Sequence, residues 1–199
     1  MMMKKWTVPA AIVGVVVLVV LMFGGVYNSL VQDREKVTKS FSDVKVQYQR
    51  RADLIPNLVN TVKGSSNFEQ STLTQVTEAR ANATSINVSA DNPQQVQEYI
   101  NAQSQVSSSL GRLIATVENY PEIKSTAAYQ DLLVQLEGTE NRIAVARGDF
   151  NKTAQPYNAR VQTFPTNLIA GMFGFSKFPY FEADAGSDKA PTVDFNKAE

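Results

Sequence analysis

From Trp6 to Gln32 the chain carries no charged residue, and within that run Val8–Val26, VPAAIVGVVVLVVLMFGGV, is almost wholly apolar. Its 19 residues, at 1.5 Å of rise each, make a helix about 28 Å long, close to the ~30 Å hydrocarbon core of a bilayer. A cleaved secretory signal is the competing reading, but its apolar region is typically about 7–15 residues and ends in a small-x-small site. Here the run is longer, its exit Met22-Phe23-Gly24-Gly25-Val26-Tyr27 suits cleavage poorly, and no Cys follows to take a lipid. The expectation is an uncleaved anchor over residues 1–27. Lys4 and Lys5 precede the span and no Lys or Arg follows at once, which predicts a cytoplasmic N-terminus with the remainder outside the cytoplasmic membrane.

Past the anchor the apolar positions step by threes and fours: Leu30, Val37, Phe41, Val44, Tyr48, Ile55, Leu58 and Val62. That is a helical seam with Arg34 and Arg51 standing in its rows. The turn chemistry of Gly64-Ser65-Ser66-Asn67 breaks it. A second stripe runs Phe68, Leu73, Val76, Ala79 and Ala83. A third, Val96, Ile100, Gln103, Val106, Leu110, Leu113 and Val117, opens at Pro93 with Asp91 or Asn92 as cap. A fourth starts near Glu122 and repeats every seven residues through Tyr129, Leu136, Ile143, Phe150, Tyr157 and Phe164. No strand signal appears. The predicted fold is all-α: an antiparallel, four-helix bundle of long coiled-coil-like helices over 28–163 on a transmembrane helix. If Gly64 only kinks its helix, three very long helices form a rod instead. An aromatic-rich segment, 164–182, and an extended or disordered tail, 183–199, complete the predicted domains.

Charge and composition narrow the chemistry. The 19 basic and 19 acidic residues balance, so nothing steers the chain to nucleic acid. With neither Cys nor His, thiolate and imidazole catalysis, ordinary zinc sites and the Glu-x-x-His di-metal bundle site are excluded. No cofactor or metal is expected. Acid–base work would fall to carboxylates such as Glu137, Glu140 and Asp53, for which pairing with Arg142, Arg147 or Arg51 is the ordinary use.

Arg51 is the oddest seam residue. Either its stem lies on the core while its guanidinium snorkels outward, or it pairs with Glu140 or Glu137 on the last long helix, or locally with Asp53. The paired reading makes it a device that fixes helix register. Pro56 removes a backbone donor, yet the seam continues across it, so it kinks the helix without ending it. Asn57 is placed to bond the freed carbonyl, and Pro156 interrupts the last helix in the same manner. The structural group is therefore Arg50, Arg51, Asp53, Pro56, Glu137, Glu140 and Arg142. Phe164, Leu168, Met172, Phe173 and Phe175 form a second group, which either caps the bundle end or meets membrane or a partner. Three glycosylation-type triplets, beginning at Asn82, Asn87 and Asn151, are near chance in an Asn-rich chain.

YNSLVQDREKVTKSFSDVKVQYQRRADLIPNLVNTVKG (Tyr27–Gly64), TLTQVTEARA (Thr72–Ala81), LEGTENRIAVAR (Leu136–Arg147), Tyr157-Asn158, FPTNLIAGMFGF (Phe164–Phe175) and the terminal YFEA…APTVDF resemble the LemA family, collinearly over about 27–195. The resemblance implies a bacterial inner-membrane protein with an N-terminal anchor and an extracytoplasmic helical bundle, of undefined process. It also implies neighbours of membrane-metalloprotease (HtpX) or TPM-domain type, and one branch, the magnetosome membrane proteins, tied to membrane organisation. Many members carry an aromatic residue and a His after the first motif. SSNFE (Ser65–Glu69) has no His here, so no role for one transfers. The expected function is a non-enzymatic scaffold or adaptor, with lipid, protein partners and self-association as its contacts. The alternatives are a membrane-organising protein or a carboxylate hydrolase.

Overall fold

A single helix, α1 (Lys4–Lys63), carries the apolar run into the bundle without a break. The computed structural model describes residues 4–64, 68–90 and 92–182. After α1 come α2 (Gln70–Ser85), α3 (Pro93–Val117), a one-turn α4 (Pro121–Lys124), α5 (Ala127–Gln162) and α6 (Thr166–Phe173), followed by an extended strap over 174–182. No strand occurs among the described residues. The fold is all-α, as the periodicities require.

Residues 11–21 of α1 are exposed throughout, and it is the one described helix long and apolar enough to cross a membrane. From Leu30 onward the predicted seam is buried: Leu30, Val37, Val44 and Val62 are fully covered, and Phe41, Tyr48, Ile55 and Leu58 nearly so. α5 lies antiparallel along α1. Arg160 reaches Ser29 and Asp33 near the apolar run, Ser40 Oγ donates to Thr153 Oγ1 at 3.2 Å, and Arg51 meets Glu140 further out. α2 and α3 form a hairpin against the far half of α1.

Two helix boundaries differ from expectation. α1 stops at Lys63 and α2 begins at Gln70, so they are two helices and the three-rod alternative fails. Ser65–Asn67 of the turn fall outside the described residues. The last long helix starts at Ala127, after the separate turn α4, because Thr126 intervenes as an N-cap. Its hydroxyl accepts from Tyr129 N–H at 3.3 Å and donates to Ile123 C=O at 2.8 Å. Asn92 caps α3, accepting from the N–H groups of Gln94 and Gln95 at 3.1 Å, while Pro93 occupies the first turn. The alternative cap, Asp91, lies outside the described residues, as does the tail 183–199.

Helix α1 passes through Pro56 and α5 through Pro156. Proline at 56 leaves the Ala52 carbonyl without its usual donor. Arg80 of α2 supplies one, its Nε–H donating to Ala52 C=O at 2.6 Å. Asn57, the residue expected in that role, is exposed and its own carbonyl accepts from Thr61 Oγ1. A defect in one helix thus becomes a tie to its neighbour.

The interior falls into two hydrophobic clusters. The proximal one, nearer the apolar run, gathers Leu30 to Tyr48 of α1, the start of α3, Ile143 to Val161 of α5, α6 and the strap. The distal one gathers Ile55 to Val62, α2, most of α3, Ile123, Tyr129 and Leu136.

Candidate functional site

Between these clusters, where α1 passes from Tyr48 to Ile55, sits Arg51. Its side chain is 1% exposed, which removes the snorkelling alternative. A cation so deep is unfavourable unless its donors are matched by acceptors. Nη1 donates to Ser107 Oγ at 2.6 Å and Glu140 Oε1 at 3.0 Å. Nη2 donates to the Gln103 carbonyl at 3.0 Å and to Gln103 Oε1 at 2.6 Å. The guanidinium carbon lies 5.1 Å from the centroid of the Tyr48 ring, within cation–π range. Nε is buried without a partner.

One residue of α1 therefore binds α3 and α5 at once. The planar fork fixes both directions, which a lysine's point charge would not. Burial pushes the Tyr48 hydroxyl up to about 12, with the charges of Arg147 and Arg51 opposing, and it also raises Tyr99. Both phenols stay neutral beside the cation at ordinary pH. A groove of about 460 Å³ opens next to this layer, lined by Tyr48, Gln97, Asn101, Ser104, Arg147 and Glu182 among others.

The carboxylate partner is Glu140. Glu137, the alternative, is exposed, and Asp53 accepts from Gln49 Nε2 at 2.7 Å on its own helix. Arg50, Pro56 and Arg142 also face solvent, so of the structural group only Arg51 and Glu140 meet. The three carboxylates weighed for acid–base work are not gathered.

The aromatic segment divides between its two readings. Ile169 and Ala170 of α6 and Phe175, Phe178 and Phe181 of the strap are buried, while Phe164, Leu168, Met172 and Phe173 are exposed. Phe175 is thus corrected from contact residue to core residue. Gly174, at φ 73°, ends α6 in the left-handed conformation, and Phe175 N–H closes back on Ala170 C=O at 2.9 Å. That turn tucks the Phe175 ring against α1, with Tyr27 and Arg34 each 5.7 Å from its centroid.

Against known proteins, the sequence matches the LemA family over residues 40–195. The chain belongs to the LemA family. Among its curated relatives are a magnetosome protein MamQ of Paramagnetospirillum magneticum, 26% identical over 181 residues, and the LemA protein of Metamycoplasma hominis, 25% identical over 162 residues. Each match covers 81% of this chain, with 66% of the former and 71% of the latter.

Several contacts of this LemA bundle were not foreseen. Besides Arg80, two asparagines of α5 hold the strap. Asn158 accepts from Phe178 N–H at 2.9 Å and donates to Phe178 C=O at 2.8 Å. Asn151 does the same for Phe181, at 3.0 and 2.8 Å. Arg147 Nη2 adds a bond to Glu182 C=O at 2.7 Å, so the strap runs antiparallel to α5. The signal was there: Phe150-Asn151 and Tyr157-Asn158 repeat an aromatic–amide pair at seven residues. Asn151 reads as a modification triplet only if that period is overlooked.

Proposed function

We propose that this LemA-family chain is a single-pass, membrane-anchored, non-enzymatic scaffold that presents its helical bundle outside the cytoplasm to a protein partner. One observation carries the reading: α1 runs without a break from an exposed apolar segment into the centre of the bundle, packing α5 along its length. A linker would let the bundle swing. A continuous helix fixes its height and tilt above the bilayer, which suits a surface that must meet another membrane protein. The paired lysines ahead of the span favour a cytoplasmic N-terminus in the bacterial inner membrane. Neighbours of membrane-metalloprotease or TPM-domain type, implied by the family, are the partner class to look for.

The test is mild crosslinking in membranes, followed by purification of the full-length chain in detergent with its mass and co-purifying chains measured. A defined partner in fixed ratio is expected. It should be lost when exposed positions of the bundle such as Val46 and Val145 are changed to Asp. A chain that purifies alone, and whose membranes yield no crosslinked species, would overturn the reading.

The second reading is membrane organisation through lipid contact and self-association. It is favoured by the exposed face of α6, and some of the relatives are named magnetosome proteins. Because the chain spans about two thirds of those relatives' length, this reading rests more on its own surface than on their names.

A further inference from the structure

Outside the apolar segment, the exposed large apolar side chains of the described residues are not scattered. Three single valines, Val46, Val134 and Val145, stand apart. The rest are Tyr27, Phe164, Leu168, Met172, Phe173 and Tyr180, and α6 with its entry turn supplies four of them. Phe164, Leu168 and Met172 follow one another at four-residue spacing and are 75%, 54% and 72% exposed. Ile169 and Ala170, on the opposite face, are 1% and 2% exposed. α6 is therefore amphipathic in an unusual sense: it is apolar on both sides, one packed and one bare. No charge occurs from Val161 to Ser176, between Arg160 and Lys177.

The position of α6 on α1 says what meets the bare face. The Phe173 ring centroid lies 4.9 Å from that of Tyr27, and Tyr27 immediately follows Val26, the last residue of the apolar run. Phe23 and Val26, still within that run, pack on the proximal cluster to which Ile169, Ala170 and Phe175 belong. On the other side Phe175 touches Arg34, and the half-exposed Arg160–Asp33 ion pair stands just past the apolar run. From Tyr27 to Arg34 α1 rises only about 10 Å. The headgroup layer on each side of the hydrocarbon core is roughly 5–8 Å thick. If residues 8–26 fill the core, α6 is held at that layer and not above it.

We propose that α6 is a second membrane contact: an interfacial helix lying in the headgroup region of the bilayer crossed by α1, with Phe164, Leu168, Met172 and Phe173 in the acyl boundary. This rests on the anchor reading above. The occupant is phospholipid: the face is continuous with the apolar surface of α1, wholly uncharged, and flanked by Tyr27, a residue type that favours that depth. Two contacts at one level, α1 crossing and α6 lying flat, restrict rotation and tilt of the bundle more than a single span does.

The experiment uses the full chain in phosphatidylcholine vesicles, in a Trp6→Phe background that removes the one native tryptophan. A single indole is introduced by Leu168→Trp, Leu18→Trp or Val134→Trp, and quenching is compared in lipids brominated near the headgroup or near the bilayer centre. Leu168→Trp should lose about half or more of its fluorescence to shallow bromines and little to deep ones, the signature of a helix buried ~5–10 Å below the surface. Leu18→Trp should respond to deep bromines, and Val134→Trp to neither. If Leu18→Trp is quenched while Leu168→Trp is not, the interfacial proposal is overturned and the anchor stands. If neither responds, the anchor reading itself fails. Leu168→Trp emission that is blue-shifted without quenching, and shifts back on dilution in lipid, assigns the face to a second copy and also overturns the proposal. Far-UV circular dichroism of each variant shows that the helices are retained.

Discussion

The distal cluster is mostly aliphatic, with Tyr129 its one buried ring: Ile55, Leu58 and Val62 of α1 meet Leu73 and Val76 of α2, Val106, Leu110, Leu113 and Val117 of α3, and Leu136 of α5. In the proximal cluster rings dominate. Phe41, Tyr48, Tyr99, Phe150, Tyr157, Phe178 and Phe181 pack at centroid separations of 5.2–6.3 Å, largely edge-on. The distal half is closed by regular helices whose stripes face one another. The proximal half is closed by an extended strap, whose backbone depends on side-chain amides for its hydrogen bonds. The aliphatic half needs only matched stripes, whereas the aromatic half needs specific polar clamps. Arg51, between them, is where the two kinds of packing are joined.

The largest expected effect lies at that junction. Arg51→Ala opens a cavity and leaves the buried Gln103 oxygens and the Ser107 hydroxyl without their donor, and should cost roughly 3–5 kcal/mol in chemical denaturation. Amide exchange should rise in both halves together, since all three helices lose a shared tie. Next comes a contrast between halves. Leu113→Ala opens a distal cavity and should cost roughly 2–5 kcal/mol, with exchange rising in α2 and α3. Asn158→Ala strands the buried N–H and C=O of Phe178, costing roughly 2–3 kcal/mol, with exchange rising in the strap and α6 but not in α2. Equal spreading of both changes through the whole chain would dissolve the comparison.

Alkaline pH should strike the proximal half. The Tyr48 hydroxyl is raised from its ordinary 10 to about 12 by burial. Its stabilising contribution is therefore complete below pH 10 and is lost as pH rises toward about 12, because the unfolded chain releases that proton first. The size is about 2–3 kcal/mol. Urea midpoints across this window should fall less for Tyr48→Phe than for the native chain. At acid pH the sign reverses for Asp33. Burial works against its charge, but hydrogen bonds and charge from Lys36 and Arg160 outweigh it and hold the carboxyl below its usual range. That contribution is present above about pH 4 and is lost as pH falls through the lowered value. Smallest is Arg80→Ala, at about 1–2 kcal/mol for the unmatched Ala52 carbonyl. In a Pro56→Ala background that cost should shrink, because position 56 regains an N–H for the same acceptor. A double-mutant cycle measures the difference.

The distal half was legible because each of its stripes keeps a helical period, and Leu58, Val76, Leu113 and Leu136 fall where period and burial agree. Arg51 was legible as an exception to such a row. Its choice of Glu140 over Glu137 was not, since both lie on one face and only the rotation of α5 about its axis decides between them. The strap was hidden for a different reason. Phe175, Phe178 and Phe181 stand three residues apart but on extended chain, and what buries them is the αL turn at Gly174 and two asparagines about 20 and 30 residues back along the chain. Arg80 carried no signal at all, because a proline announces a missing donor but not its substitute.

Arg51, tied to α3 and α5 at once, is expected to fix the register of α1 against its neighbours. Since the chain has no cysteine, an introduced pair reports alone. Ser40→Cys with Thr153→Cys joins hydroxyl positions 3.2 Å apart, while Ser40→Cys with Asp149→Cys is offset by about one helical turn. Each pair is oxidised in the native chain and in Arg51→Met, which keeps the volume and removes the fork. A strong preference for the first pair is expected in the native chain and its erosion in Arg51→Met, with the offset pair gaining. An undiminished preference in Arg51→Met would contradict it.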